Sequence, residues 1–328
     1  MHPKVRDLAK SLVAQIAAAL DAGGMWKSAR MTKGGRPPIN ALTKNRYNGI
    51  NALALWIEQQ RKIYWSNEWL TFRQKCELEA RIGKPLRIRK GEEATTGLKV
   101  KDFIPAEFKK EGDKYRNART GQLVSERGAS RRFWKPFNVF NLAQFEELPD
   151  EVAVKPELLD KPAEPQTQAM LQFFDKLNPT IKPHANECFF NPKEDFIGMV
   201  PREFFTDENR YCSTLAHEMT HWTGHKSRLD RVQLTTSNPK GMQAPEYCFE
   251  ELIAEIGALL LCAEFDIPPM MSHALYATMY VRYLEQWEEK VIDAAGQADR
   301  AVRWMLEKGG RLAAKPYAGA DEALPRAA

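Results

Sequence analysis

The sequence predicts an α+β protein in two parts: an α+β N-terminal domain, then a mainly helical domain with a small antiparallel sheet. Three observations lead there. The length, 328 residues, exceeds one ordinary domain. Charge divides along the chain: residues 1–150 hold 29 Lys and Arg against 16 Asp and Glu, whereas the remaining 19 basic residues face 27 acidic ones. Between the halves, residues 149–165 carry four prolines among mixed charges, the composition of an extended linker. The expected division is residues 1–148, the linker 149–165, residues 166–310, and a disordered Ala/Arg-rich tail at 311–328.

Composition narrows the class. At 43% hydrophobic and 28% charged residues, the chain is ordinary globular material. No run reaches 18 apolar residues, so no membrane span is expected. Five scattered cysteines without a CxxC point to a reducing, cytoplasmic setting. They exclude a disulfide framework and a cysteine zinc site. The opening stretch begins basic and turns apolar, as signal peptides do. Leu8, Leu12, Ile16 and Leu20 nevertheless recur at helical spacing, which favours an amphipathic helix.

In order, Lys33–Pro38 reads as a loop and Ala52–Gln60 as a helix. Gly83–Glu92 alternates apolar and basic residues and reads as a strand with one basic face. A strand region follows at Lys99–Phe108. Gly112–Arg132 reads as a hairpin tip or mobile loop, and Phe133–Asn141 as the last strand. The +13 balance with rings set among cations suits a surface for single-stranded nucleic acid, where bases stack and Lys and Arg follow phosphates. Candidate contacts are Arg46, Tyr47, Asn48, Trp69, Arg73, Gln74, Arg87, Arg89, Lys90 and Lys135. Spacing does not separate rings that stack on bases from rings that fill a core.

In the second half, Ala169–Leu177 reads as a helix and Cys188–Val200 as a hairpin. Tyr211–His225 is the chemical centre. His217-Glu218-Met219-Thr220-His221 reads HExxH, and residues four apart share one helix face. Two imidazoles so placed can hold one Zn²⁺, with Glu218 as general base for a bound water whose pKa zinc lowers to about 7. Tyr211, Leu215, Met219 and Trp222 form the opposite, core-facing stripe. Thr206 or Asp207 suits the N-cap, and Gly224 the stop. Phe249–Ala263 is a second helix, with Glu251 and Glu255 one turn apart. Position 227 is Ser with no later His at the spacing a third histidine ligand requires, so HExxHxxGxxH fails. Two helices are expected over Ser272–Gly309.

HExxH followed by an acidic pair resembles the Glu-type zincins. That resemblance implies Glu251 as third ligand and Glu255 as the carboxylate steadying a ligand histidine, with Glu255 and His225 as rival ligands. Tyr247 is a candidate electrophilic helper. The motifs YNGIN (Tyr47–Asn51), W-x-T-F-x-Q (Trp69–Gln74), RKGE (Arg89–Glu92), FNVFN (Phe137–Asn141), STLAHEMTHWTGH (Ser213–His225), RLDR (Arg228–Arg231) and EELIAEIGA (Glu250–Ala258) together resemble the ArdC antirestriction family and related TraC proteins. The resemblance spans about residues 8–305. It implies a single-stranded DNA-binding N-terminal domain and a zincin-like metallopeptidase domain. It also implies a role in protecting incoming plasmid DNA, with a DNA-bound protein or a host restriction enzyme as a further partner. The charged segment Lys109–Ser130 and the tail depart from the family pattern.

Overall fold

The computed structural model describes residues 37–62, 64–149, 166–231, 244–267 and 287–312, together with Lys10 and Val152. The expected opening helix, most of the linker, the first of the two last helices and the tail beyond 312 lie outside the described residues. Among the described residues no helix is long and apolar enough to cross a membrane.

The N-terminal half contains β1 (Ile39–Asn40), α1 (Gly49–Arg61), β2 (Glu68–Leu70), α2 (Phe72–Ile82), β3 (Thr95–Phe103), β4 (Phe108–Glu111), β5 (Lys114–Asn117), β6 (Leu123–Ser125) and β7 (Arg131–Asn141). Its main sheet has the order β1-β2-β7-β3. The long strands β3 and β7 pair antiparallel from Thr95–Val139 to Phe103–Arg131. Gly97, opposite Phe137 near one end of this ladder, leaves room for that ring: a Cβ there would lie 2.5 Å from it. The start of α2 is written in the W-x-T-F-x-Q motif. The Thr71 side chain accepts from the Gln74 amide, and the Gln74 side chain reaches back to the cap, a complete capping box. Gly83, at φ 68°, ends the helix in the left-handed region.

Two expectations change here. Gly83–Glu92 forms no strand; it runs extended with a single bridge, Ile88 to Phe145. The apolar–basic alternation is still used, since Leu86 is buried and Arg87 exposed. Alternation records which side chains face the core and says nothing about whether a partner strand lies alongside. The segment Gly112–Arg132 does lie at the tip of the β3–β7 hairpin, but it is no loop: it carries β5 and β6, which form an antiparallel sheet with β4, and one helical turn at Glu126–Ala129.

The second half contains α3 (Gln166–Leu177), β8 (Ile181–Pro183), β9 (Phe189–Asn191), β10 (Phe196–Met199), α4 (Glu208–Thr223), α5 (Pro245–Glu264) and α6 (Trp287–Lys308). The hairpin β9–β10 is antiparallel, and β8 adds parallel to β10. Helix α5 is apolar nearly all round and correspondingly sits at the centre, packed on α4 and α6. The two halves share one core. Ile50, Leu53, Trp56 and Ile57 of α1 join the same buried cluster as Leu215 and Met219 of α4, Leu252 and Ile256 of α5, and Val291 and Met305 of α6.

Candidate metal centre and nucleic-acid interface

Asp207 caps α4 by accepting from the Arg210 amide, and the helix stops at Gly224. Leu215, Met219 and Trp222 are buried on the core side, which turns His217 and His221 toward α5. Gly257 sets how closely the two helices approach. A Cβ on it would lie 2.4 Å from Thr220 Cγ2 and 2.5 Å from Thr220 Oγ1. Thr220 lies between the two histidines in sequence, so this contact fixes the depth at which α5 presents its carboxylates.

Three ligand atoms converge there: one each from His217, His221 and Glu251, all within 4.8 Å of one another. His217 Nε2 is 3.1 Å from His221 Nε2. Glu251 Oε2 lies 3.4 Å from His217 Nε2, and Oε1 lies 3.6 Å from His221 Nε2. Tetrahedral bonds of about 2.05 Å place ligand atoms about 3.4 Å apart, so this spacing fits one divalent cation. Beside them Glu218 is buried, and its Oε2 has no hydrogen-bond partner among the described residues. A buried carboxylate oxygen without a donor fits a group reserved for a proton in transit. Burial pushes the Glu218 carboxyl up, over the opposing pull of His217 and His221.

Each histidine is backed on its other nitrogen. Glu255 Oε1 stands 3.6 Å from His217 Nδ1. Glu250 Oε1 stands 3.2 Å from His221 Nδ1, a partner the sequence reading missed. The signal was present in three glutamates on one helix, but the acidic pair Glu251 and Glu255 drew the assignment and Glu250 was given no role. Burial works to lower the His217 pKa, yet Glu255 and Glu251 prevail and raise it well above its ordinary value. For Glu251, burial pushes upward but His217, His221 and a hydrogen bond from Tyr247 outweigh it and leave the carboxyl lowered. Tyr247 thus sits one turn before Glu251 and touches its carboxylate. His225 does not join the group: its Nδ1 faces Ser227 Oγ at 2.8 Å and Asp195 at 3.6 Å.

The candidate DNA contacts separate into two kinds. Trp69 is fully buried, and its Nε1 donates to Gln59 Oε1 at 2.6 Å, so this ring is core and offers no face to a base. Arg46 forms a forked pair with Glu264 at 2.7 and 3.1 Å. The Asn48 side chain accepts from Arg303. Gln74 closes the capping box, and Arg89 donates to the carbonyls of Ala143 and Phe145. Tyr47 is half-buried, its hydroxyl beside Asn40 and the Trp69 carbonyl. Arg73, Arg87, Lys90 and Lys135 are exposed. The structure adds Phe72, 60% exposed beside Arg73, with the Lys75 ammonium 5.2 Å from its ring centre. It was not among the candidate contacts, because spacing does not separate rings that stack on bases from rings that fill a core.

Comparison with known proteins places this architecture. Residues 6–140 match the model of the N-terminal domain of anti-restriction factor ArdC, and residues 168–297 match that of a zincin-like metallopeptidase. The crystal structure of the antirestriction ArdC protein from plasmid R388, metal-free, superposes with a TM-score of 0.64 at 30% identity, over 93% of this chain and 98% of that one. The chain belongs to the ArdC family. The Mn(II)-bound structure of the R388 ArdC protein matches similarly, with a TM-score of 0.62. Protein y4eC of Sinorhizobium fredii (strain NBRC 101917 / NGR234) is 27% identical over 91% of each chain. DNA primase TraC of Escherichia coli is 29% identical over 82% of this chain, which spans only 17% of that protein. The ArdC relationship therefore covers both halves, including α4 and α5, whereas the TraC relationship covers one part of a longer protein.

Proposed function

We propose that this ArdC-family protein binds single-stranded DNA through its N-terminal half and protects incoming plasmid DNA from restriction. We further propose that it carries Zn²⁺ on His217, His221 and Glu251. The observation that carries the metal reading is the convergence of those three ligand atoms beside Glu218, whose buried Oε2 has no hydrogen-bond partner among the described residues. The DNA reading is supported by family membership, the +13 balance and the exposed group Phe72, Arg73, Arg87, Lys90 and Lys135. A cation held at the site supplies a Lewis acid that makes water a better nucleophile near neutral pH. Glu218 receives the proton, and its upward-shifted pKa improves it as a base. Glu250 holds the His221 imidazole with Nε2 inward, Glu255 faces His217 Nδ1 at 3.6 Å, and Tyr247 holds Glu251.

Protection as a shield is the leading role, with DNA contacts as its requirement. A second reading, hydrolysis of a DNA-bound protein or host restriction enzyme, is favoured by Glu218, because a purely structural zinc site has no use for a free carboxylate beside it. The full-length protein should bind single strands more tightly than duplex, with affinity falling steeply as salt rises. Equal affinity for both at low salt would refute the stacking surface. Glu218→Gln removes the base and keeps the size. Transfer of unmodified plasmid into a restricting host should stay protected by this variant. If it folds, holds zinc and binds single strands but no longer protects, shielding fails and hydrolysis leads.

A further inference from the structure

The RLDR motif at Arg228–Arg231 has no part in either role above, and its last residue is among the most enclosed cations described. Arg231 is buried, beyond the end of α4. Its Nε lies 3.1 and 3.0 Å from the two Glu250 oxygens, and its Nη2 lies 2.6 Å from Oε1. Nη1 donates to Thr223 Oγ1 at 2.8 Å, and Nη2 also donates to the Thr220 carbonyl at 2.7 Å. One guanidinium therefore joins the last turn of α4, where helix carbonyls lack intrahelical partners, to the start of α5. The Glu250 carboxylate that it grips is the one facing His221 Nδ1.

We infer that Arg231 and Glu250 are positioning residues of the metal centre, which fix the His221 ring so that Nε2 faces the cation. The inference rests on the reading of His217, His221 and Glu251 as metal ligands. An imidazole that donates from Nδ1 keeps its lone pair on Nε2, so the tautomer and the ring angle are set by whatever accepts at Nδ1. A carboxylate on a helix side chain can swing. Glu250 is restrained, because Nε and Nη2 of one planar group hold it from a single direction while the rest of that group is tied to α4. His217 has a looser backing: Glu255 stands 3.6 Å away, against 3.2 Å for Glu250 and His221. The His221 support depends on a residue outside the two helices that carry the ligands. The motif after HExxH is read as a strut for the second histidine.

The test is metal affinity of the full-length protein, by Zn²⁺ competition with a chromophoric chelator and by the visible spectrum of the Co²⁺ form. Glu250→Gln should bind Zn²⁺ about 10–100-fold more weakly, the usual cost of losing a partner behind a ligand histidine, and should shift the Co²⁺ bands. Arg231→Lys, which keeps the charge but loses the fork, should weaken binding in the same direction. Arg228→Lys is the control: Arg228 pairs with Asp195 and stacks over Trp222, so it should lower the melting point without changing affinity. If Arg231→Lys does not fold, Glu250→Gln alone decides. Zn²⁺ affinity within twofold of wild type in folded Glu250→Gln, with unchanged Co²⁺ bands, overturns the inference and leaves a plain helix clamp. A wild-type protein that binds neither ion overturns the ligand reading and this inference together. Weak binding confined to the variants leaves the ligands standing and supports the strut.

Discussion

Gly257→Ala tests whether the approach of α5 to α4 sets the metal geometry. The added Cβ would lie 2.4 and 2.5 Å from the Thr220 Cγ2 and Oγ1 atoms. Ordinary contact between such atoms is about 3.5–4.0 Å, so the helices must part by about 1 Å or Thr220 must leave its rotamer. Thr220 is buried, and its hydroxyl donates to the Ala216 carbonyl, so it has little room to turn. Overpacking of this kind costs roughly 1–3 kcal/mol. The functional cost is larger. Separations of 3.4 and 3.6 Å from Glu251 to the histidine nitrogens would widen to roughly 4.5 Å, beyond the reach of one ion with bonds of about 2.05 Å. Thermal melts with and without added Zn²⁺ should show a small loss for the metal-free protein and a much smaller gain on adding metal. Gly257→Ala/Thr220→Ala, which removes both offending atoms, should recover most of the metal response. A Gly257→Ala protein whose metal response equals wild type, or a double variant with no recovery, would refute the reasoning.

Trp69→Ala should lose about 3–5 kcal/mol, the cost of emptying a large core site, whereas Phe72→Ala at an exposed site should change stability by less than about 0.5 kcal/mol yet weaken single-strand binding. Denaturation and binding isotherms on both variants check this, and the reverse ranking would show that the wrong ring was assigned to DNA. Metal affinity should rise with pH. His217 is protonated more readily than an ordinary imidazole because Glu255 and Glu251 outweigh its burial, so a proton must leave before its nitrogen can bind. Zn²⁺ titrations at about pH 6 and about pH 8 should differ accordingly, and a flat profile would remove His217 from the ligand set. Stability of the metal-free protein should fall in acid. Burial raises the Glu250 pKa, but Arg231 and His221 lower it more, so its contribution is full above the unfolded carboxylate pKa and vanishes as pH drops through the lower folded value. Acid melts of wild type and Glu250→Gln measure that difference, which would be absent if the pair were unformed.

Legibility in the sequence followed the range of the interactions. The α4 assignment and its caps depend on neighbours within a turn, and Asp207 and Gly224 stand where their residue types placed them. Periodicity placed Glu251 and Glu255 one turn apart, and the resemblance to Glu-type zincins, not spacing, pointed to Glu251 as the one that meets the histidines. Glu250 and Arg231 were out of reach because their partners are 29 and 19 residues away and neither pattern marks an ion pair. Gly83–Glu92 misled for a related reason: Leu86 and Ile88 alternate inward against the core, while strand pairing is a property of the partner. Trp69 illustrates the limit for aromatics, since nothing local distinguishes a ring that meets Gln59 in the core from one that meets a base.

The YNGIN motif changes meaning once the seam between the halves is considered. Its neighbour Arg46 forks onto Glu264, the last residue of α5, and Asn48 accepts from Arg303 of α6. A Cβ on Gly49 would meet the Gly296 backbone at 3.5 Å, and the Gly49 amide donates to the half-buried Asp299. Asn51 accepts from the Leu98 amide and donates to the Leu98 carbonyl of β3. Arg46 thus docks the N-terminal half onto α5, the helix that also carries Glu250, Glu251 and Glu255, while Asn48 and Gly49 dock it onto α6. Substitutions there disturb the metal helix through its far end as well as any DNA surface nearby. A loss of DNA binding in an Arg46 or Asn48 variant therefore identifies a contact only if the same protein retains its Zn²⁺ affinity and its melting point; a joint loss assigns these residues to the seam.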